Sequence, residues 1–146
     1  MLLDNTPPNL GLDLSSIDTP KAAEAGVEIS LEYNGKPTGW MVTVRGEYSP
    51  TVKKWQLGVG NKFRLKEWQE KRKGKGDNPT PMTEEDMEIG LRSAVTRIVG
   101  FKGVMFAGQE LAFSEAAAYD LVRRHPPFAD QIIEASSDIS NFTKAQ

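Results

Sequence analysis

From Val27 to Tyr33 the side chains alternate, with Val27, Ile29, Leu31 and Tyr33 on one face and Glu28, Ser30 and Glu32 on the other. A period of two predicts a half-buried β-strand. Asn34-Gly35-Lys36-Pro37 has the chemistry of a turn, because Asn and Gly tolerate positive φ, and beyond it Trp40, Val42 and Val44 again share a face. The two runs predict a β-hairpin. Ser49-Pro50 then reads as an N-cap with proline at the first helical position, so a helix begins there.

At about 100° per residue that helix has two apolar stripes. Val52, Trp55, Val59 and Phe63 form one, which is expected to cover the hairpin. Leu57, Leu65 and Trp68 lie nearly opposite. Two explanations stay open. Either the second stripe faces a second partner, or the helix breaks near Asn61 and turns the stripe into ordinary core. Gly58 and Gly60, each costing about 1 kcal/mol relative to alanine in a helix, favour such a break.

The stretch from Lys73 to Pro81 combines glycine, proline and polar residues without an apolar anchor, and predicts a flexible linker over 74–82. Thr83 caps the next helix, whose stripe Met87, Leu91, Ala94, Val95 and Ile98 has core-facing spacing. Its first turn, Glu84, Glu85 and Asp86, is what the helix dipole favours, and is read as that rather than as paired catalytic carboxylates. Gly100-Phe101-Lys102-Gly103 breaks the helix. Residues 104–113 predict a tiny hairpin or an extended loop. Ser114 caps another helix through Arg124, with Phe113 placed as a hydrophobic staple. After Pro126-Pro127, Phe128, Ile132, Ala135, Ile139 and Phe142 recur at helical spacing, giving one amphipathic terminal helix, whole or interrupted near Ser136-Ser137. Residues 1–26, with three prolines and no stable period, ending in an alanine-rich run, predict a mobile arm that includes a short helical turn.

The expected fold is therefore α+β. A β-hairpin packs on a basic helix (27–73), a linker follows (74–82), and a mainly α-helical C-terminal half completes the chain (83–146). The length, 146 residues, suits one compact fold, and 38% hydrophobic with 26% charged residues is ordinary for a soluble globular protein. No apolar run is long enough to span a membrane, and the start lacks the layout of a signal peptide, so a cytosolic protein is expected.

Zero cysteines exclude disulfides, thiolate metal sites and cysteine nucleophiles, and a single histidine excludes histidine-based zinc clusters. His125 sits at a helix boundary in Arg123-Arg124-His125-Pro126-Pro127, where a basic residue stabilises a helix C-terminus rather than acting as a catalytic base. No glycine cluster has the frame of a phosphate loop. No enzyme activity, cofactor or metal is expected.

Charge adds a sharper feature. The net charge is -2, yet Lys53 to Lys75 holds nine basic and two acidic residues, which makes that run +7 and the remainder -9. Such a run suits nucleic acid, an acidic partner surface or the chain's own acidic segments. Bases and aromatics interleave from Lys62 to Lys73, as in single-strand binders, but an acidic chain without a recognition module makes nucleic-acid binding the weaker choice.

The second half carries an ordered set of short motifs: Ile98-Val99-Gly100-Phe101-Lys102-Gly103, Glu110-Leu111-Ala112-Phe113-Ser114, Pro127-Phe128, Gln131-Ile132 and Asn141-Phe142. Over residues 83–143 this resembles the tail assembly chaperones of long-tailed double-stranded DNA phages, and Gly35 to Gly39 matches more loosely. The resemblance implies a non-enzymatic protein of the host cell cytoplasm. It would bind the tape measure protein, keep it soluble and recruit tail tube protein subunits. Leu57, Leu65, Trp68, Lys71, Arg72 and Lys73 on the basic stretch, and Phe101, Phe128, Ile132 and Phe142 in the second half, are the candidate protein-binding residues. The last four are core or contact positions, and the resemblance does not separate the two. Copies could also form a homo-oligomer by pairing the basic run with the acidic half. The alternatives are a small nucleic-acid-binding accessory protein using 53–75, or a minor structural tail or head-tail protein.

Overall fold

In the computed structural model, which describes residues 11–59 and 83–143, the alternating run Val27–Tyr33 is strand β1, and Lys36–Val44 is β2, antiparallel to it. Asn34 (φ 53°) and Gly35 (φ 77°) form the connection, the two-residue positive-φ turn whose twist suits a hairpin. Before the hairpin lies α1 (Thr19–Ala25). After it come α2, described over 50–59, α3 (Glu84–Thr96), β3 (Ile98–Lys102), the short strands β4 (Met105–Phe106) and β5 (Gln109–Glu110), α4 (Glu115–Arg124), α5 (Pro126–Ser137) and α6 (Ser140–Thr143). An N-terminal hairpin followed by a mainly helical half makes the fold α+β.

The helix starts follow the capping residues. Ser49 accepts from the Val52 amide at 3.3 Å, and Ser114 from the Ala117 amide at 3.0 Å. Thr83 and Asp86 exchange reciprocal bonds, a capping box that absorbs one of the three acids. The terminal stripe is interrupted after Ser137. Asp138 accepts from the Ser140 amide and restarts the chain as α6.

β3 is the main departure from expectation, since Ile98 was placed on the preceding helix. It instead begins a third strand against β2, giving the order β1-β2-β3. Val44 faces Ile98 and Thr43 faces Gly100, so Val99 is an extra residue in the ladder. This bulge lets Ile98 and Phe101, three apart, both lie on the side of Val42 and Val44. Met87 departs too: at 52% exposed it lies outside the core, and the stripe of α3 begins at Leu91.

One face of the sheet is covered by helices. Leu31, Val42, Val44 and Ile98 pack in a single cluster with Ala94 and Val95 of α3, Leu121 and Val122 of α4, and Phe128 and Ile132 of α5. The hairpin's cover therefore comes from α3, α4 and α5, where the basic helix had been expected. Val52 of α2 is fully buried but stands outside this cluster. The opposite face is polar, with Lys102 of β3 reaching Glu28 of β1 at 3.1 Å.

Of the expected arm, residues 11–26 are described. From Thr19 it is a helix capped by Asp18, with Ala23 buried and packed beside α6. Gly46 is the contact point. A Cβ there would lie 2.8 Å from the Phe142 ring and 3.0 Å from the Ala23 Cβ, so only glycine lets the three meet. Residues 1–10, the linker 74–82 and the second half of the basic stretch lie outside the described residues.

Candidate functional site

Lys53 and Lys54, the described start of the basic run, lie on α2, and the root of that helix is held by two carboxylates. Glu24, on the last turn of α1, accepts from Ser49 Oγ at 2.5 Å, from the Thr51 amide at 3.1 Å and from Thr51 Oγ1 at 2.8 Å. Arg45 Nε approaches the same carboxylate at 3.3 Å. A negative charge receiving the orphan amides of a helix start is favoured by both the bond and the dipole. The hydrogen bonds from Ser49 and Thr51 hold the Glu24 carboxyl down to about 2 from an ordinary 4.5.

Glu47 grips the helix further along. Its carboxylate accepts from Gln56 Nε2 at 2.9 Å and from Arg97 Nη2 at 2.6 Å. Arg97, 3% exposed, also donates to Ser136 Oγ at 3.0 Å and to the Ser93 carbonyl at 2.9 Å. One network thus joins α2, the end of α3 and α5. Burial alone would push the Glu47 carboxyl up, but the bonds from Arg97 and Gln56 outweigh it and hold the group below its usual value.

Held in this way, α2 turns Val52 inward and Leu57 outward. Val52 is fully buried, and Trp55 and Val59 are half-buried. Leu57 is 69% exposed, beside the exposed Lys53 and Lys54. Of the three residues expected on the second stripe, Leu57 alone is described. Leu65, Trp68, Lys71, Arg72 and Lys73 lie outside the described residues.

A second surface lies at the far end of the hairpin. Tyr33, Lys36, Pro37, Thr38, Trp40 and Phe128 line an apolar groove of about 480 Å³. Its rings are mutually packed: Trp40 and Phe128 lie 5.8 Å apart between centroids, and His125 lies 4.6 Å from Phe128 and 4.8 Å from Tyr33. His125, between α4 and α5, is thus an aromatic packing residue. Thr38 bends the strand here, donating to the Leu31 carbonyl while accepting from the Trp40 amide.

The four candidates from the second half are mainly core. Ile132 is fully buried, Phe142 is 8% exposed and seals against Gly46, and Phe128 is 4% exposed with its ring at the floor of the aromatic groove. Phe101 is half-buried, edge-on to Phe113 at 5.2 Å. Ile132 and Phe142 offer no surface to a partner. The sequence reasoning did not find the Glu24 and Glu47 clamps or the groove. The signal for the groove was Tyr33 and Trp40 flanking the turn, both assigned there only to the strand faces.

Among the described residues no cluster of acids and histidine could hold a metal, and no helix is long and apolar enough to cross a membrane. No protein family, curated protein or solved structure gives a match to this chain.

Proposed function

We propose that this protein is a tail assembly chaperone of a long-tailed double-stranded DNA phage. It binds the tape measure protein in the host cytoplasm, keeps it soluble and recruits tail tube subunits. The observation that carries the proposal is Leu57. Leu57, 69% exposed among lysines, is the described member of the stripe that sequence spacing predicts with Leu65 and Trp68, and a continued apolar stripe suits a protein client better than a phosphate backbone. A helical client can lay its apolar side on Leu57 and its acidic residues on Lys53 and Lys54, a helix-on-helix mode that does not read a close sequence. The motif order of residues 83–143 supports the same assignment. The aromatic groove offers a second apolar surface, on the hairpin.

The test is co-expression with the tape measure protein of the same genome, then pull-down at low and moderate salt with single-stranded DNA as competitor. Recovery of soluble tape measure protein, unaffected by DNA, is expected. Failure to recover it, with DNA retained and released by salt, would transfer the function to nucleic-acid binding.

A further inference from the structure

We infer that the aromatic groove on the β1–β2 hairpin is the docking site for the β4–β5 finger of a second copy of this chain, and that two copies exchange fingers as a closed dimer. The finger is a separate two-stranded unit, in which Met105 faces Glu110 and Phe106 faces Gln109. Its turn holds Ala107 at φ 52° and Gly108 at φ 83°, the two-residue positive-φ connection of a tight hairpin. The left-handed region disfavours an alanine, and strain of this kind gathers at sites that bind. A two-stranded hairpin is marginal by itself, but this one is braced. The Leu111 amide donates to the Val104 carbonyl at 2.7 Å, the Gly103 amide donates to Glu110 Oε1 at 2.9 Å, and the Arg124 guanidinium lies 5.3 Å from the Phe106 ring centroid. Met105 and Phe106 nevertheless stay about half exposed. A braced finger presenting two large apolar side chains needs little ordering to dock.

The groove complements the finger in both apolarity and charge. Tyr33, Pro37, Trp40 and Phe128 make its space of about 480 Å³ apolar, and Lys36 is the charged residue on its lining. Among the described residues Lys36 has no carboxylate, and Glu110 no cation, within 4.0 Å. A docked finger sets Met105 and Phe106 against the rings, where thioether–aromatic and aromatic pairs are favourable. It also brings Glu110 of one copy to Lys36 of the other, and that charge pair fixes the register. Finger and groove lie side by side on one molecule. Gly103, at the finger's root, is so near the hairpin that a Cβ there would be 3.0 Å from the Gly39 carbonyl oxygen. His125, the residue after Arg124, stacks on Tyr33 and Phe128. A knob and a hole that adjoin on one surface are self-complementary about a two-fold axis, and reciprocal exchange buries twice what a single finger buries. This inference does not depend on the client assigned above, and it gives the groove to a second copy.

Light scattering and sedimentation of the full chain test it through two variants at exposed positions. Met105→Thr with Phe106→Thr blunts the finger, and Lys36→Glu with Pro37→Glu sets two carboxylates in the groove against the incoming Glu110. Circular dichroism checks that both fold. Wild type is expected to pass from monomer to dimer with rising concentration and to stop there. Each variant alone should dimerise at least about tenfold more weakly. An equimolar mixture should associate more strongly than either variant alone, because the finger of one and the groove of the other are intact. A wild-type chain that stays monomeric at every concentration would overturn the proposal and leave the groove to the client. Variants that dimerise like wild type, a mixture no stronger than its components, or wild-type assemblies that grow past the dimer would overturn it as well.

Discussion

Ile132 on α5 and Arg97 at the end of α3 are both almost completely buried, but their surroundings differ. Ile132 lies among the hydrocarbon of the sheet and three helices, while Arg97 lies against a carboxylate and two serines. Apolar contact is non-directional and tolerates small rearrangements, so it closes the body without fixing an angle for anything that leaves it. Hydrogen bonds and buried ion pairs have fixed geometry and are expensive to break. The root of α2 is built in the second way, through Glu24, Glu47 and Arg97, and that sets the angle at which α2 meets the body.

The contrast can be broken most severely at Glu47. Glu47→Ala strands a buried guanidinium, and urea unfolding should show a loss of about 3–5 kcal/mol. Adding Arg97→Met to Glu47→Leu should recover most of that loss, since an apolar pair of similar volume need not cost stability. Ile132→Ala, the matching lesion in the body, should cost about 2–5 kcal/mol and leave the salt dependence of unfolding unchanged. Gly46→Ala, where α1 and α6 meet, should cost about 1–3 kcal/mol through overpacking, read as a lower thermal midpoint.

A smaller effect is expected from pH. Glu24 is held near 2 in the folded chain against an ordinary 4.5, so the folded state binds fewer protons between those values. Its contribution is complete above about 4.5 and is lost as pH falls toward 2. Thermal midpoints measured from pH 6 to pH 2 should fall, and Glu24→Gln should flatten that fall. Leu57→Ser lies at the far end of the scale. It should change stability by less than about 0.5 kcal/mol while abolishing recovery of soluble client in the pull-down.

The elements that sequence made legible are those with a single strong period or a cap. The β1–β2 hairpin and the starts at Ser49, Thr83 and Ser114 follow from local chemistry, while the terminal helix read equally as whole or interrupted near Ser137 until Asp138 was seen to restart it. β3 was hidden because its bulge places Ile98 and Phe101 three apart, and Ile98 is also three from Val95, which continues a helical stripe without a break. The docking of α1, expected only as a short turn in a mobile arm, was hidden for a different reason. It depends on Gly46 and Phe142, far away in the chain, and no local pattern announces such a contact. Of the two stripes read on α2, the described residues show Val52 inward and Leu57 outward, while its anchors, Glu24 and Glu47, were ordinary acids until the fold brought them to Ser49, Gln56 and Arg97.

The most direct test of the proposed function is a photoreactive phenylalanine at position 57 of this chain, co-expressed with the tape measure protein and irradiated in cells. The account predicts a covalent adduct with the tape measure protein, lost when the reactive residue is moved to the buried position 132. Adducts from position 57 only with nucleic acid, or none while the tape measure protein remains soluble, would contradict it.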